Sequence, residues 1–312
     1  MIETATYRCG EHKGGLHVNR VLSADPSRTT LIRAQFVAAM TKRFRLIQKD
    51  IKESLVANDA LGLNEAKRPL GLAALPSKAF AFRTDPKKVE GFMSWLRNDL
   101  DAHLLEVGYV TSTKPGVPWQ NVFIDSAYKR GLKRGRAELA KQGIQTSRFP
   151  DAPHFDKIDS LFNMPVHAEK VAMVYTRAYE ELKGISSVMS QQISRIMAQG
   201  MAEGRGPRWI ASKMAGRKGI VEGIGLRRAR VMARTEVIRA HHVATIETYR
   251  QARIEKVRIK AEWATAGDDR VCADCQQLEA EVFTLEKIEG MIPLHPQCRC
   301  VALPYIAGVH DV

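Results

Sequence analysis

Aromatic residues make up only 7% of the 312-residue chain, cysteine occurs five times, and 34 acidic side chains stand against 48 lysines and arginines. No uninterrupted apolar run reaches the roughly 20 residues that a membrane-spanning helix needs, so no membrane partner is expected. The opening MIETATYRCGEHKGG lacks a basic segment leading into an apolar core and a small-residue cleavage site, and a secretory signal is not expected there. The expected compartment is a reducing cytosol. In that setting the clustered Cys272, Cys275, Cys298 and Cys300 read as metal ligands rather than disulfide partners. Cys9 stands apart and reads as a free thiol. Internal repeats and low-complexity tracts are also lacking.

With 45% hydrophobic and 26% charged residues the composition is that of a folded chain. Its length is enough for two structural units, each with a core. The net charge of +14 is unevenly spread. Residues 204–260 hold 15 Lys/Arg against 4 Asp/Glu, and residues 261–312 hold 3 against 9. A basic block ahead of an acidic tail attracts polyanions, phosphate above all, through counterion release.

Apolar periodicity predicts a long amphipathic helix from an N-cap at Ser27 to about Ala57, with Leu31, Ala34, Phe36, Ala39, Phe44, Ile47, Ile51 and Leu55 on its inner face. Residues 1–25 read as an arm, and 60–84 as a loop or short strands broken by Gly and Pro. A second helix is predicted from Asp85, with Pro86 at its first position, to about Gly108. A third runs from about Trp119 to Gly143 and carries Lys129, Arg130, Lys133, Arg134 and Arg136 on a basic face. The Pro-bearing stretch 147–165 has no clear period and marks a boundary. Beyond it, a helix from Pro165 to about Gly200, a short helix over PRWIASKMAG, a Gly-containing turn and a helix from Leu226 to about Gln251 are predicted. On the last, Arg227, Arg230 and Arg234 form a row at i, i+3 and i+7. The segments KVRIKAEWATA and EVFTL read as short strands.

The strongest local signal is DDRVCADC at 268–275 followed by HPQCRC at 295–300. Two donor pairs, each on its own tight turn, can close a tetrahedron of sulfur and imidazole around Zn2+. Cys272, Cys275, His295 and Cys298 are the favoured ligands, and Cys300 is a substitute for Cys298 or His295. Four protein ligands leave no position for a reacting water. Adjacent His241 and His242 point about 100° apart on a helix and cannot grip one metal together. They read as surface or packing residues. The glycines of GMAEGRGPRW lack the following G-K-[ST] of a phosphate loop.

The blocks GISSVMSQQISRIMAQGMAEGRGPRWIASKM, ARTEVIRAHHVATIETYR, EWATAGDDRVCADCQQLEAEVF and PLHPQCRCVALPY together resemble, in order, the head morphogenesis domain of phage Mu protein F-like minor head proteins. The resemblance spans about residues 166–305. It implies a structural, non-enzymatic virion protein in the head interior near the portal vertex, present in the host cytoplasm during assembly. Portal protein, other head proteins and packaged double-stranded DNA are the partners it implies. At one place the pattern departs: where the family often has Gly after the cysteine turn, Glu279 and Ala280 stand here. A zinc-dependent nuclease or effector and a sequence-specific DNA-binding regulator are the alternatives. The expected fold is a mainly α N-terminal region (1–165) and helical connector (166–252), followed by a small α+β zinc-containing subdomain (253–312). Arg227, Arg230 and Arg234 are the expected non-specific DNA contacts.

Overall fold

The computed structural model describes residues 25–62, 86–105, 118–144, 158–253 and 259–306. The predicted arm at 1–25, nearly all of the 60–84 loop, Cys9, and the helix end near Gly108 lie outside these residues. The described residues are mainly helical with one small sheet. Helix α1 spans Thr30–Lys52 and continues as a π-helical turn, Glu53–Ala57; α2 spans Pro86–Leu104, α3 Asn121–Lys141, α4 Ile158–Phe162, α5 Pro165–Ala202, α6 Pro207–Ala215 and α7 Arg227–Arg253. Strands β1 (Ile259–Ala264), β2 (Val282–Phe283) and β3 (Val301–Ile306) follow, with short helices α8 (Ala273–Gln277) and α9 (Leu285–Glu289) between them. Two compact units form from interleaved segments: Phe36–Trp119 with Arg177–Met232, and Gln120–Thr176 with Ala233–Val312 and the first 35 residues. The 165/166 division expected from the sequence follows chain order, whereas these units interleave along it.

Along α1 and its π-helical end the buried row is Ile32, Phe36, Met40, Phe44, Ile47, Ile51 and Leu55. Each such side chain contributes about 1.5–3 kcal/mol on leaving water. Leu31 is 68% exposed and Ala34 is exposed, so the inner face starts one residue later than the periodicity predicts. Ser27 is not the cap. The helix begins at Thr30, whose N–H is accepted by Asp25 Oδ2 at 2.7 Å, while the Ser27 hydroxyl donates to Asp25 Oδ1 at 2.6 Å. The predicted turn before α7 is instead a π-helical stretch, Val221–Leu226. A Cβ at Gly225 would collide with Met189 and the Phe44 ring, so this glycine serves close packing rather than a turn.

The second unit is built on α3 and α7. A Cβ at Gly131 would collide with the backbone carbonyl of His241, and one at Gly135 would meet Thr248. The two glycines, one turn apart, let the helices approach closely. The stretch 147–165 is not wholly aperiodic: α4 forms where the Phe162 ring meets Tyr128 edge-on at 5.8 Å. Part of the basic face on α3 is paired, Lys129 with Asp159 at 2.6 Å and Arg134 with Glu138 at 2.6 Å. The sheet is antiparallel in the order β2-β1-β3, with Ala261 opposite Phe283 on one side and Pro304 on the other. Strand β3 is not among the segments that the sequence pattern marks as β. Pro304 argues against a central strand, and it is tolerated here because β3 lies at an edge. Trp263, Ala261, Ile259 and Ala302 from the sheet pack with Ile238, Ile246 and Tyr249 of α7 into one core.

Candidate metal centre

The sheet and α7 frame two turns that carry the Cys/His residues. Cys272 is the N-cap of α8, with extended backbone, and its Sγ accepts the Cys275 N–H at 3.4 Å. Capping therefore places both sulfurs of the first pair on one turn. In the second pair the Cys298 N–H bonds the His295 carbonyl at 3.1 Å. Arg299 forks onto the Asp268 carboxylate, with Nη1 at 2.7 Å from Oδ2 and Nη2 closing on Oδ1. That clamp joins the loop before Cys272 to the segment after Cys298. Arg299 first, with Arg270 adding and burial opposing, holds the Asp268 carboxyl well below the usual range.

The two turns bring the five expected residues together. Cys272 Sγ and Cys275 Sγ each lie 3.2 Å from His295 Nε2, and Cys275 Sγ lies 3.9 Å from Cys298 Sγ. Donor atoms of Cys272, Cys275 and His295 fall within 4.8 Å of one another, as do those of Cys275, Cys298 and Cys300. Cys275 is common to both groups. With bonds of about 2.3 Å to sulfur and 2.0–2.1 Å to nitrogen, a tetrahedral zinc would space two sulfurs about 3.8 Å apart and a sulfur and nitrogen about 3.5 Å apart. The three distances lie near those values, while the donor atoms form two groups of three that share Cys275 rather than a single group of four.

Hydrogen bonding orients the imidazole. Nδ1 of His295 donates to the Pro296 carbonyl at 2.9 Å, which leaves the Nε2 lone pair facing the sulfurs in the neutral ring. Cys298 and Cys300 share a hydrogen bond that holds the Cys298 thiol down to about 5 against burial, and it pushes the Cys300 thiol up. Cys275, Cys298 and Cys300 are buried, while Cys272 and His295 are half-buried.

Helix α7 backs the centre through polar bonds that the sequence pattern does not reveal. The His242 ring donates from Nε2 to the Ile288 carbonyl at 2.9 Å. Arg250 grips Glu289 bidentately at 2.8 and 2.6 Å, with Lys170 at 2.8 Å from the same carboxylate. Gln297 N–H donates to Thr235 Oγ1 at 3.1 Å, and the Tyr249 hydroxyl donates to the Ala302 carbonyl at 3.2 Å. Partners 39 to 119 residues apart leave no periodic trace in sequence.

The arginine row lies on α7 at the expected spacing. Arg227 and Arg234 are exposed and Arg230 is half-buried. Arg234 Nη1 donates to Gln297 Oε1 at 2.6 Å, so one of the three already holds the turn between His295 and Cys298. His241 and His242 are both buried, which places them as packing residues.

Residues 191–303 match the sequence model of the family described as Phage Mu protein F like protein. The match takes in α6, α7, β1, β2, the first half of β3, all five residues of the Cys/His cluster and the arginine row. No curated protein and no solved structure matches the chain.

Proposed function

We propose, from the match of residues 191–303 to the Phage Mu protein F like family, that the chain is a phage head morphogenesis protein, a minor head component acting structurally in procapsid assembly and genome handling at or near the portal. The observation that carries this reading is the family match itself, which coincides with the segment where the Cys/His cluster assembles. In this reading Zn2+ is held by Cys272, Cys275, His295 and Cys298, with Cys300, which groups with Cys275 and Cys298, as a substitute for Cys298 or His295. Bound there, the ion supplies cross-linking of the two turns and no reaction, since four protein ligands leave no place for a water. A subdomain of about fifty residues has too small a core to be secure alone, and a structural zinc adds about 10–16 kcal/mol of apparent binding free energy to folding.

The residues themselves divide the labour. Cys272 and Cys275 hold one turn, His295 and Cys298 hold the other, and the Asp268–Arg299 clamp keeps both in register. Arg227, Arg230 and Arg234 supply weak, sequence-independent binding to packaged double-stranded DNA, phosphate being the group that a row of guanidiniums engages. Heads purified from infected cells should contain the protein together with the portal protein. Portal-containing heads of normal composition that lack the protein would overturn the assignment.

A further inference from the structure

A second set of ligand-type side chains meets in the unit that contains α2 and most of α1. Asp99 and His103 stand at i and i+4 on α2, on one face and one turn apart. Asp50, on the last turn of α1, meets them. His103 Nε2 lies 2.8 Å from Asp50 Oδ2 and 3.5 Å from Asp99 Oδ1. One donor atom from each of the three lies within 4.8 Å of the other two. We propose that Asp50, Asp99 and His103 form a binding site for one divalent transition-metal ion of the Mn2+ class, separate from the cysteine cluster and with its remaining positions open to water.

Four observations carry this. Six-coordinate ions with ligands at about 2.1 Å space neighbouring donors about 3.0 Å apart, and the two His103 distances bracket that value. The His103 spacings are thus near those of neighbouring ligands on one ion. Two carboxylates and one imidazole make a hard, doubly negative set that matches a dication, whereas a protonated histidine would cancel only one charge; oxygen and imidazole donors suit Mn2+ and its neighbours rather than soft ions. Asp99 Oδ2 is shielded from solvent and has no hydrogen-bond partner among the described residues. Such an oxygen costs free energy unless something satisfies it, and a cation bound at the Asp99 carboxylate, whose Oδ1 faces His103, offers that compensation. Finally, the site is pre-positioned yet reachable. Arg43 Nη1 donates to the His103 carbonyl at 3.1 Å and Trp119 Nε1 to the Leu104 carbonyl at 3.0 Å, which fixes the end of α2. The side chains of Asp50, Asp99 and His103 remain 30%, 13% and 23% exposed.

The test uses the full chain with its cysteine cluster first saturated with zinc. Titration with Mn2+, followed by the loss of the free-ion electron paramagnetic resonance signal, should give one further ion per chain. Asp99→Asn and His103→Gln should each weaken that binding about tenfold or more, with helical circular dichroism unchanged. A second measurement needs no variant: Co2+ added to the zinc-loaded wild type should give weak visible bands of an oxygen–nitrogen site without thiolate charge transfer. Absence of Mn2+ binding at millimolar ion, binding indifferent to both substitutions, or Co2+ spectra of thiolate type alone would reduce the triad to a hydrogen-bonded ion pair and overturn the proposal.

Discussion

Ala280 sits in the left-handed region of backbone space at φ 65, where a Cβ costs about 1–2 kcal/mol. The conformation is imposed by the sheet, since the Ala280 N–H donates to the Trp263 carbonyl at 2.9 Å and the Trp263 N–H donates to the Glu281 carbonyl at 2.8 Å. A glycine would adopt this backbone without that cost. Ala280→Gly should raise the unfolding free energy by about 1 kcal/mol in chemical denaturation, and a loss of stability would show that the turn is not strained by its side chain. Three buried histidines act in the same unit. Burial first, opposed by the hydrogen bond from Gln251, lowers the His167 pKa to about 4. Burial, then the His242 neighbour, lowers His241 to about 3, and burial, opposed by the Ile288 carbonyl, lowers His242 to about 4. The folded state thus keeps these rings neutral where the unfolded chain takes protons near the ordinary histidine value of about 6.5. Stability they contribute is complete above that value and falls as pH drops from about 6.5 toward about 4. Protonation of the Cys/His cluster would release any bound zinc in the same direction, so the comparison must be between wild type and His242→Gln. The variant's stability should fall less steeply across that window, and identical slopes would remove His242 as a source of the acid sensitivity.

At the scale of elements, α7 has two duties along one helix. The buried row of Leu226, Ala229, Ala233, Val237, Ala240 and Ala244 is the one that the 3.6-residue period announces, and its arginine row follows from the same period. Replacing Arg227, Arg230 and Arg234 together by Gln should flatten the slope of log DNA affinity against log salt by about 0.9 for each phosphate no longer engaged. Because Arg234 also bonds Gln297, an unchanged slope combined with lower stability would assign the row to structure instead of DNA. Long amphipathic helices are legible in the sequence for a physical reason: α1, α2, α3 and α5 each bury one stripe, and burial at fixed period is what sequence displays. The π-helical stretches are not legible. The glycines at 223 and 225 read as a turn until Met189 and Phe44 pack where a side chain at 225 would lie. Strand β3 is hidden by Pro304, whose acceptability depends on an edge position that only the sheet order reveals.

Across the whole molecule, the chemistry legible in advance is that which comes in short spacings. The C-x2-C and H-x2-C pairs declare themselves because each pair sits on one turn, and their convergence follows once β1, β2 and β3 align. Asp50 and His103 meet from positions 53 residues apart, and Asp268 meets Arg299 across 31; no local pattern encodes either. The two compact units, each assembled from interleaved stretches of chain, are likewise a product of tertiary packing. If one zinc ion organises residues 259–306, metal content and the sheet must stand or fall together. Elemental zinc analysis of the purified full chain decides this, with wild type beside Cys272→Ser and Cys275→Ser and the circular dichroism of the sheet recorded on each sample. The wild type should hold one zinc per chain, and either substitution should remove it together with the strand signal. Zinc content that neither substitution changes, or a metal-free wild type with the sheet intact, would show that the ion does not organise this part of the chain.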